Sequence, residues 1–257
     1  MHEEKRYAVL IDADNVSAKY IKIILDEIAN YGVATYKRIY GDWTRQAASS
    51  WKESLLENSV TPVQQYNYTQ GKNATDSAMI IDAMDILYSQ NVEGFCLVSS
   101  DSDFTKLASR LRESGMFVVG MGEEKTPKPF IAACNQFKYL DVIAGTVKTN
   151  NNEHKASSND KNMTDIKVIE ATIYKMISEI DVENQSINIS ELGIRIVKRY
   201  PDFDVRNYGY KKLSRFLTGF SKLDIHSKGK NGIWVSLKTE REVKEKVSKR
   251  KRRTNKR

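Results

Sequence analysis

The chain is poor in the residues from which many sites are built. Its two cysteines, Cys96 and Cys134, lack the CxxC spacing of a zinc or redox site. Cys96 lies in an apolar strand-like run and Cys134 near a helix, so both read as reduced core residues rather than a disulfide or zinc ligands. The three histidines, His2, His154 and His226, fall in an N-terminal tail, a linker and a hairpin, without a partner that suggests a triad or a metal ligand. No apolar run approaches the ~18 residues of a membrane span. MHEEKRY opens too acidic and too short for a secretory signal, so a cytoplasmic protein with no membrane association is expected. Two phosphate-binding signatures are missing as well. The absence of GxxxxGKS/T argues against a P-loop NTPase, and the absence of GxGxxG after the first strand argues against a dinucleotide fold.

What the chain has is charge, unevenly divided. Residues 1–146 carry 15 Lys and Arg against 19 Asp and Glu, whereas residues 147–257 carry 26 against 14. Within the second part, 238–257 alone holds 11 basic and 3 acidic residues. An acidic site coupled to a basic region suits an enzyme acting on a polyanion. The tail alone is equally readable as a solvated charged segment. With 257 residues, 40% of them apolar, the chain can bury a core and form one or two domains.

Hydrophobic periodicity divides it further. Strands are expected at 7–11, 33–40, 60–65, 95–99 and 116–121, alternating with helices at 17–31, 45–57, 75–88 and 104–112. Regular alternation of this kind predicts an α/β fold with a parallel sheet sandwiched by helices. This first domain runs over 1–146, and the polar stretch TNNNEHKASSNDKN marks a linker over 147–163. Residues 164–237 then read as three helices and a hairpin, the shape of a winged helix-turn-helix, and 238–257 is the basic tail.

Four aspartates fall where strands of such a sheet should end: Asp12 in AVLIDADN, Asp76 in GKNATDSA, and Asp101 with Asp103 in FCLVSSDSDF. The crevice outside the carboxyl ends of parallel strands is where these folds bind ligands. Crowded carboxylates take up protons unless a cation compensates, and hard oxygen donors select Mg²⁺ or Mn²⁺. Singly, Asp76 and Asp103 also read as first-turn helix charges, and Asp14 with Asn15 as a turn pair. That bland reading does not account for Asp12 and Asp101 both at strand tips. Asp82 and Asp85, further along the Asp76 helix, read as surface charges. A divalent ion at such a site suits phosphodiester hydrolysis. Lys72 and Ser100 are placed to contact phosphate or orient a ligand, and are equally readable as loop residues. A rival is the haloacid-dehalogenase-like pattern DxDxT/V, met by DADNV with Asp12 as nucleophile, but it leaves GKNATDSAM and the basic second half unexplained.

Taken together and in order, LIDADN, GKNATDSAM and LVSSDSDF resemble the NYN domain, a branch of the PIN-like ribonuclease superfamily, over residues 5 to 145. The resemblance implies a PIN-like sandwich, catalytic metal-binding roles for Asp12, Asp76, Asp101 and Asp103, a supporting role for Asn15, and RNA as substrate. The second domain resembles the LOTUS, or OST-HTH, winged helix of RNA-regulatory proteins, through FDVRNYGYKKLSRFLTGF and IWVSL. Tyr210, Lys211, Lys212 and Arg215 are the candidates for its exposed basic-aromatic face. Lys249, Arg250, Lys251, Arg252 and Arg253 of the tail are candidate phosphate contacts. Members of that family bind RNA or protein, so a protein partner stays open. The resulting expectation is a metal-dependent endoribonuclease. The alternatives are a non-catalytic RNA-binding scaffold and a DNA substrate.

Overall fold

The computed structural model describes residues 4–44, 50–66, 74–148, 163–180, 186–227 and 232–238. They divide into two compact units, Met1–Met163 with Tyr200–Phe203, and Thr164–Arg199 with Asp204–Arg257.

The first unit is built on a six-stranded parallel sheet: β1 (Arg6–Asp12), β2 (Val33–Gly41), β3 (Thr61–Gln64), β4 (Gly94–Val98), β5 (Phe117–Gly122) and β6 (Gln136–Tyr139). Their spatial order is β3-β2-β1-β4-β5-β6. Among the described residues, α1 (Ile21–Ile28), α2 (Lys52–Asn58), α3 (Ala74–Ser89), α4 (Thr105–Glu113), α5 (Lys128–Ala133) and α6 (Leu140–Lys148) cover it.

Strand parity decides which helix meets which face. Side chains alternate along a strand, so Ala8, Leu10, Phe95, Leu97 and Val118 point to one side. There they pack with Met79, Ala83, Leu107, Leu111 and Phe130 of α3, α4 and α5. Tyr7, Val9, Ile11, Cys96, Val98 and Val119 point to the other side, against Ile21, Ile24, Ile28, Leu55 and Leu140 of α1, α2 and α6. Both faces are covered, so β1 and β4 are apolar throughout rather than alternating. Each fully buried aliphatic residue contributes about 1.5–3 kcal/mol. The cysteines are free and buried, and burial pushes the Cys134 thiol up to about 12.

The first helix is split, a 3-10 turn at Ala18–Tyr20 preceding α1. Gly32 is required by close approach, because a Cβ there would stand 2.0 Å from the Lys5 carbonyl oxygen. That carbonyl accepts the Val33 N–H at 2.8 Å where the β1–β2 pairing begins. The short α5, β6 and α6 are additions that the hydrophobic periodicity does not predict.

In the second unit, α7 (Ile166–Ser178), α8 (Ile189–Arg199) and α9 (Leu213–Thr218) accompany a three-stranded antiparallel sheet of β7 (Ser186–Asn188), β8 (Leu223–Ser227) and β9 (Ile233–Leu237), in the order β7-β9-β8. Ile169, Ile173, Ile177, Leu192, Ile196, Phe216 and Val235 are among its buried residues. Asp165 caps α7 by accepting the Lys167 N–H at 2.7 Å. The hairpin turn and the basic tail, with Lys249, Arg250, Lys251, Arg252 and Arg253, lie outside the described residues.

Candidate functional site

β1 is flanked by β2 on one side and β4 on the other, and the chain leaves β1 toward β2 but continues from β4 toward β5. The connections therefore diverge between the tips of β1 and β4, which opens a crevice there. Ile11 pairs with Val98, so Asp12 and Ser99 are neighbours just beyond. By parity both belong to the face that α3 covers.

Asp12 is fully buried. Its Oδ2 accepts from Asn15 Nδ2 at 2.8 Å and from Ser99 Oγ at 2.8 Å, while its Oδ1 accepts the Asp14 N–H at 3.0 Å. Burial raises its carboxyl above the ordinary value, and the hydrogen bonds from Asn15, Ser99 and Asp14 oppose that shift. Ser99 Oγ in turn accepts the Asp101 N–H at 3.0 Å, and Asp101 Oδ1 accepts the Asp103 N–H at 2.9 Å. A continuous chain of hydrogen bonds thus runs from Asp12 through Ser99 and Asp101 to Asp103. Asp101 caps the 3-10 turn Ser102–Phe104, which leads into α4.

Asp76 enters from the first turn of α3. Thr75 Oγ1 donates to Asp14 Oδ2 at 3.0 Å, tying that turn to the loop after β1. The carboxyl of Asp76 is pushed up to about 6, by burial first and then by the charges of Asp12, Asp101, Asp103 and Asp14. One carboxylate oxygen each from Asp76, Asp101 and Asp103 lies within 4.8 Å of the others. Three carboxylate oxygens are the hard donor type that Mg²⁺ and Mn²⁺ take, so this set fits a divalent cation in donor type. Burial and the neighbouring carboxylates both disfavour a charged Asp76, which a bound cation would offset. Asp12 is not one of the three. Its oxygens accept from Asn15, Ser99 and the Asp14 N–H, and its charge is one of those that raise the Asp76 carboxyl.

Ser100 follows Ser99 at the tip of β4. Its Oγ accepts the Glu123 N–H at 3.0 Å, joining the tips of β4 and β5. A Cβ on Gly122 would stand 2.6 Å from the Ser99 carbonyl oxygen, so that approach is close. Lys72 lies outside the described residues. Ser99 and Thr75 are site residues that the motifs alone do not single out. For Ser99 the available signal is parity, since Phe95, Leu97 and Ser99 share a face. Asp82 is not the surface charge expected of its place on the helix. Its side chain is 20% exposed, and Arg38 and the Tyr40 hydroxyl both donate to it.

In the winged-helix unit, Lys211 and Lys212 are exposed and Arg215 is exposed in turn on α9. Tyr210 is half-buried, its ring edge-on to Phe216 with centroids 5.4 Å apart, so it belongs partly to an aromatic cluster with Tyr208 and Phe220.

Two family models match the chain: the NYN domain over residues 6–141 and the OST-HTH/LOTUS domain over residues 164–235. An uncharacterized protein of Methanocaldococcus jannaschii is 28% identical over 125 residues, which are 47% of this chain and 49% of that protein. The chain thus spans about half the length of the curated relative it matches. A solved structure of a protein of unknown function from Vibrio parahaemolyticus covers 55% of this chain and 96% of its own, with 18% identity and a TM-score of 0.45.

Proposed function

This chain belongs to the NYN domain family, part of the PIN-like nuclease superfamily, and carries an OST-HTH/LOTUS domain behind it; on that premise we propose that it is a metal-dependent endoribonuclease. The observation that carries this reading is the convergence of the Asp76, Asp101 and Asp103 carboxylates beside buried Asp12 at the opening of the sheet. A Mg²⁺ or Mn²⁺ ion held by those three carboxylates would supply water activation and charge neutralisation at the phosphodiester.

The chain's own part is positioning. Asp101 and Asp103 are fixed by backbone hydrogen bonds, and Asp12 by Ser99 and Asn15. Little ordering therefore remains when substrate arrives. Four clustered carboxylates repel a polyanion, so recruitment falls to basic groups elsewhere. Lys211, Lys212 and Arg215 of the winged helix and the tail residues Lys249, Arg250, Lys251, Arg252 and Arg253 are the proposed phosphate contacts. Asn15 and Asp14 support the site as described above, and Ser100 holds the neighbouring strand tip. Among the described residues no helix is long and apolar enough to cross a membrane. We place the activity in the cytoplasm, with RNA as partner.

The test is cleavage of labelled single-stranded and hairpin RNAs by the purified protein with Mn²⁺, Mg²⁺ or EDTA, beside Asp12→Asn and Asp101→Asn. Metal-dependent cutting that both substitutions abolish is the expected result. RNA binding without cutting, equal in all three proteins, would replace the enzyme with a non-catalytic RNA-binding scaffold.

A further inference from the structure

α3 is apolar on more than the face it buries. Met79, Ala83, Ile86 and Leu87 pack into the core, yet Ile81 is 62% and Tyr88 71% exposed. At about 100° per residue, Ser77, Ile81 and Tyr88 fall within about 40° of one another, on the side of the helix opposite Met79 and Ala83. No lysine or arginine occurs over Ala74–Ser89. Its neighbour α4 follows the ordinary rule for a surface helix and turns Lys106, Arg110 and Arg112 to solvent. A helix that is hydrophobic all round is one that is covered on both sides.

Beside the exposed stripe runs a groove of about 520 Å³, between α3 and the outermost strands β2 and β3. Ser77 and Ala78 line it at the start of the helix with Val63 and Gln65, and their small side chains leave that end wide. Arg38 and Asp85 line it further along. Arg38 donates to Asp82 and lies over the Tyr36 ring. Its side chain is still 32% exposed, so a second carboxylate can reach the guanidinium. Asp85 is exposed on the flank of the stripe.

We propose that this face of α3 docks against the same face of a second copy of the chain, the two helices antiparallel about a two-fold axis near Asp82 and Ala83. Three features fit a second copy in particular. Ser77 and Tyr88 are equally far from that midpoint, so the axis sets Tyr88 of each copy over Ser77 and Ala78 of the other, a bulky ring against the wide end of a groove. Ile81 of both copies lies close to the axis, where an apolar centre is needed. Asp85 of each copy comes level with Ile80 to Asp82 of the other, where Arg38 stands, and the symmetry makes that contact twice. A knob, a groove, an acid and a base on one surface are what an isologous interface requires. The pairing does not depend on RNA cleavage. It does join two helices whose first turns carry Asp76, so the dimer holds two acidic clusters in a fixed relation.

The experiment is sedimentation of the full-length chain from about 1 to 100 µM, a range that brackets the Kd of a small interface. A mass rising to two chains is expected. Tyr88→Ala should weaken the dimer about 30-fold or more, as truncating an aromatic anchor does. Asp85→Lys should weaken it as well, by setting like charges against each other. Leu56→Ala trims a leucine that is 75% exposed on α2, at the other face of the sheet, and should leave the dimer unchanged. Cross-linking reads the register. Ser77→Cys mixed with Tyr88→Cys should give a covalent heterodimer on oxidation, and either one mixed with Leu56→Cys should not. Cys96 and Cys134 are buried and do not compete. Should Tyr88→Ala fail to fold, Asp85→Lys and the cross-link decide. A one-chain mass at every concentration would overturn the pairing and leave the face to a different protein. A dimer indifferent to Tyr88→Ala and Asp85→Lys, with no Ser77–Tyr88 cross-link, would overturn it by placing the contact elsewhere.

Discussion

Ser99 donates its hydroxyl hydrogen to Asp12 Oδ2 at 2.8 Å, joining the tips of two neighbouring strands across 87 residues of sequence. Ser99 Oγ in turn accepts the Asp101 N–H, so one small side chain aligns the aspartates of both strands. Ser99→Ala should leave the sheet intact and lower cleavage about 10- to 100-fold, the usual effect of removing a group that orients metal-site carboxylates. Rates measured at saturating Mn²⁺ check this, and Ser99→Thr should recover part of the activity.

Asp76 couples the site to pH. Its folded pKa of about 6 lies above the ordinary 3.8. The protonated form therefore carries the stability, fully present below about pH 3.8 and lost as pH rises through about 6. In metal-free protein at neutral pH, Asp76→Asn removes a like charge from the cluster and should raise the melting temperature. About 2–4 °C is expected, the effect of roughly 1 kcal/mol in a protein of this size. The gain should shrink toward pH 4.5, where the native carboxyl is already protonated. Thermal melts of both proteins in EDTA across that range would show a constant difference if the reasoning is wrong.

Metal should act as a ligand of the folded state. At a hundredfold excess over Kd a single bound ion stabilises by about 2.7 kcal/mol. Mn²⁺ is expected to raise the melting temperature of the unsubstituted chain, and Asp101→Asn should cancel most of that rise. Isothermal titration with the metal alone gives an independent reading that needs no RNA.

Asp82 offers a contrast within the same helix. Removing the Tyr40 hydroxyl as Tyr40→Phe deprives a half-buried carboxylate of one of its two donors. The expected effect is a destabilisation of about 1–2 kcal/mol in urea unfolding with metal-dependent cleavage unchanged. A large drop in cleavage at preserved stability would assign Asp82 to the reaction instead.

Deleting residues 239–257 removes ten lysines and arginines. RNA affinity should weaken, and the dependence of log Kd on log salt should become shallower by about 0.7 for each phosphate that is no longer neutralised. Lys211→Ala with Lys212→Ala tests the winged helix in the same titration.

The central strands are legible in the sequence because β1 and β4 are unbroken apolar runs that lead into aspartates, and a strand buried on both faces gives that pattern in five to seven residues. The elements between residues 122 and 148 are not. α5 has six residues and β6 four, too few for a period of 3.6 or 2 to be seen. β7 has three residues and exists only because β9 pairs with it. The partners of Asp82 are Arg38 and Tyr40 on a distant strand, so its burial leaves no local mark. Of the double serine after β4, the sequence suggests Ser100 as a ligand contact, whereas parity turns Ser99 toward Asp12 and leaves Ser100 to the Glu123 N–H.

β1 and β4 sit side by side at the middle of the sheet, yet two other strands and three helices are made between them. During synthesis Asp12 leaves the ribosome many residues ahead of Ser99, Asp101 and Asp103. A nascent chain that ends before β4 carries the first aspartate and none of those partners. Closing the β1–β4 pair is a long-range step, of the kind that comes late in folding. The acidic site is therefore complete only in a domain that has been translated and folded through β4. On the nuclease reading, chains terminated before β4 emerge without the means to cut the message that encodes them.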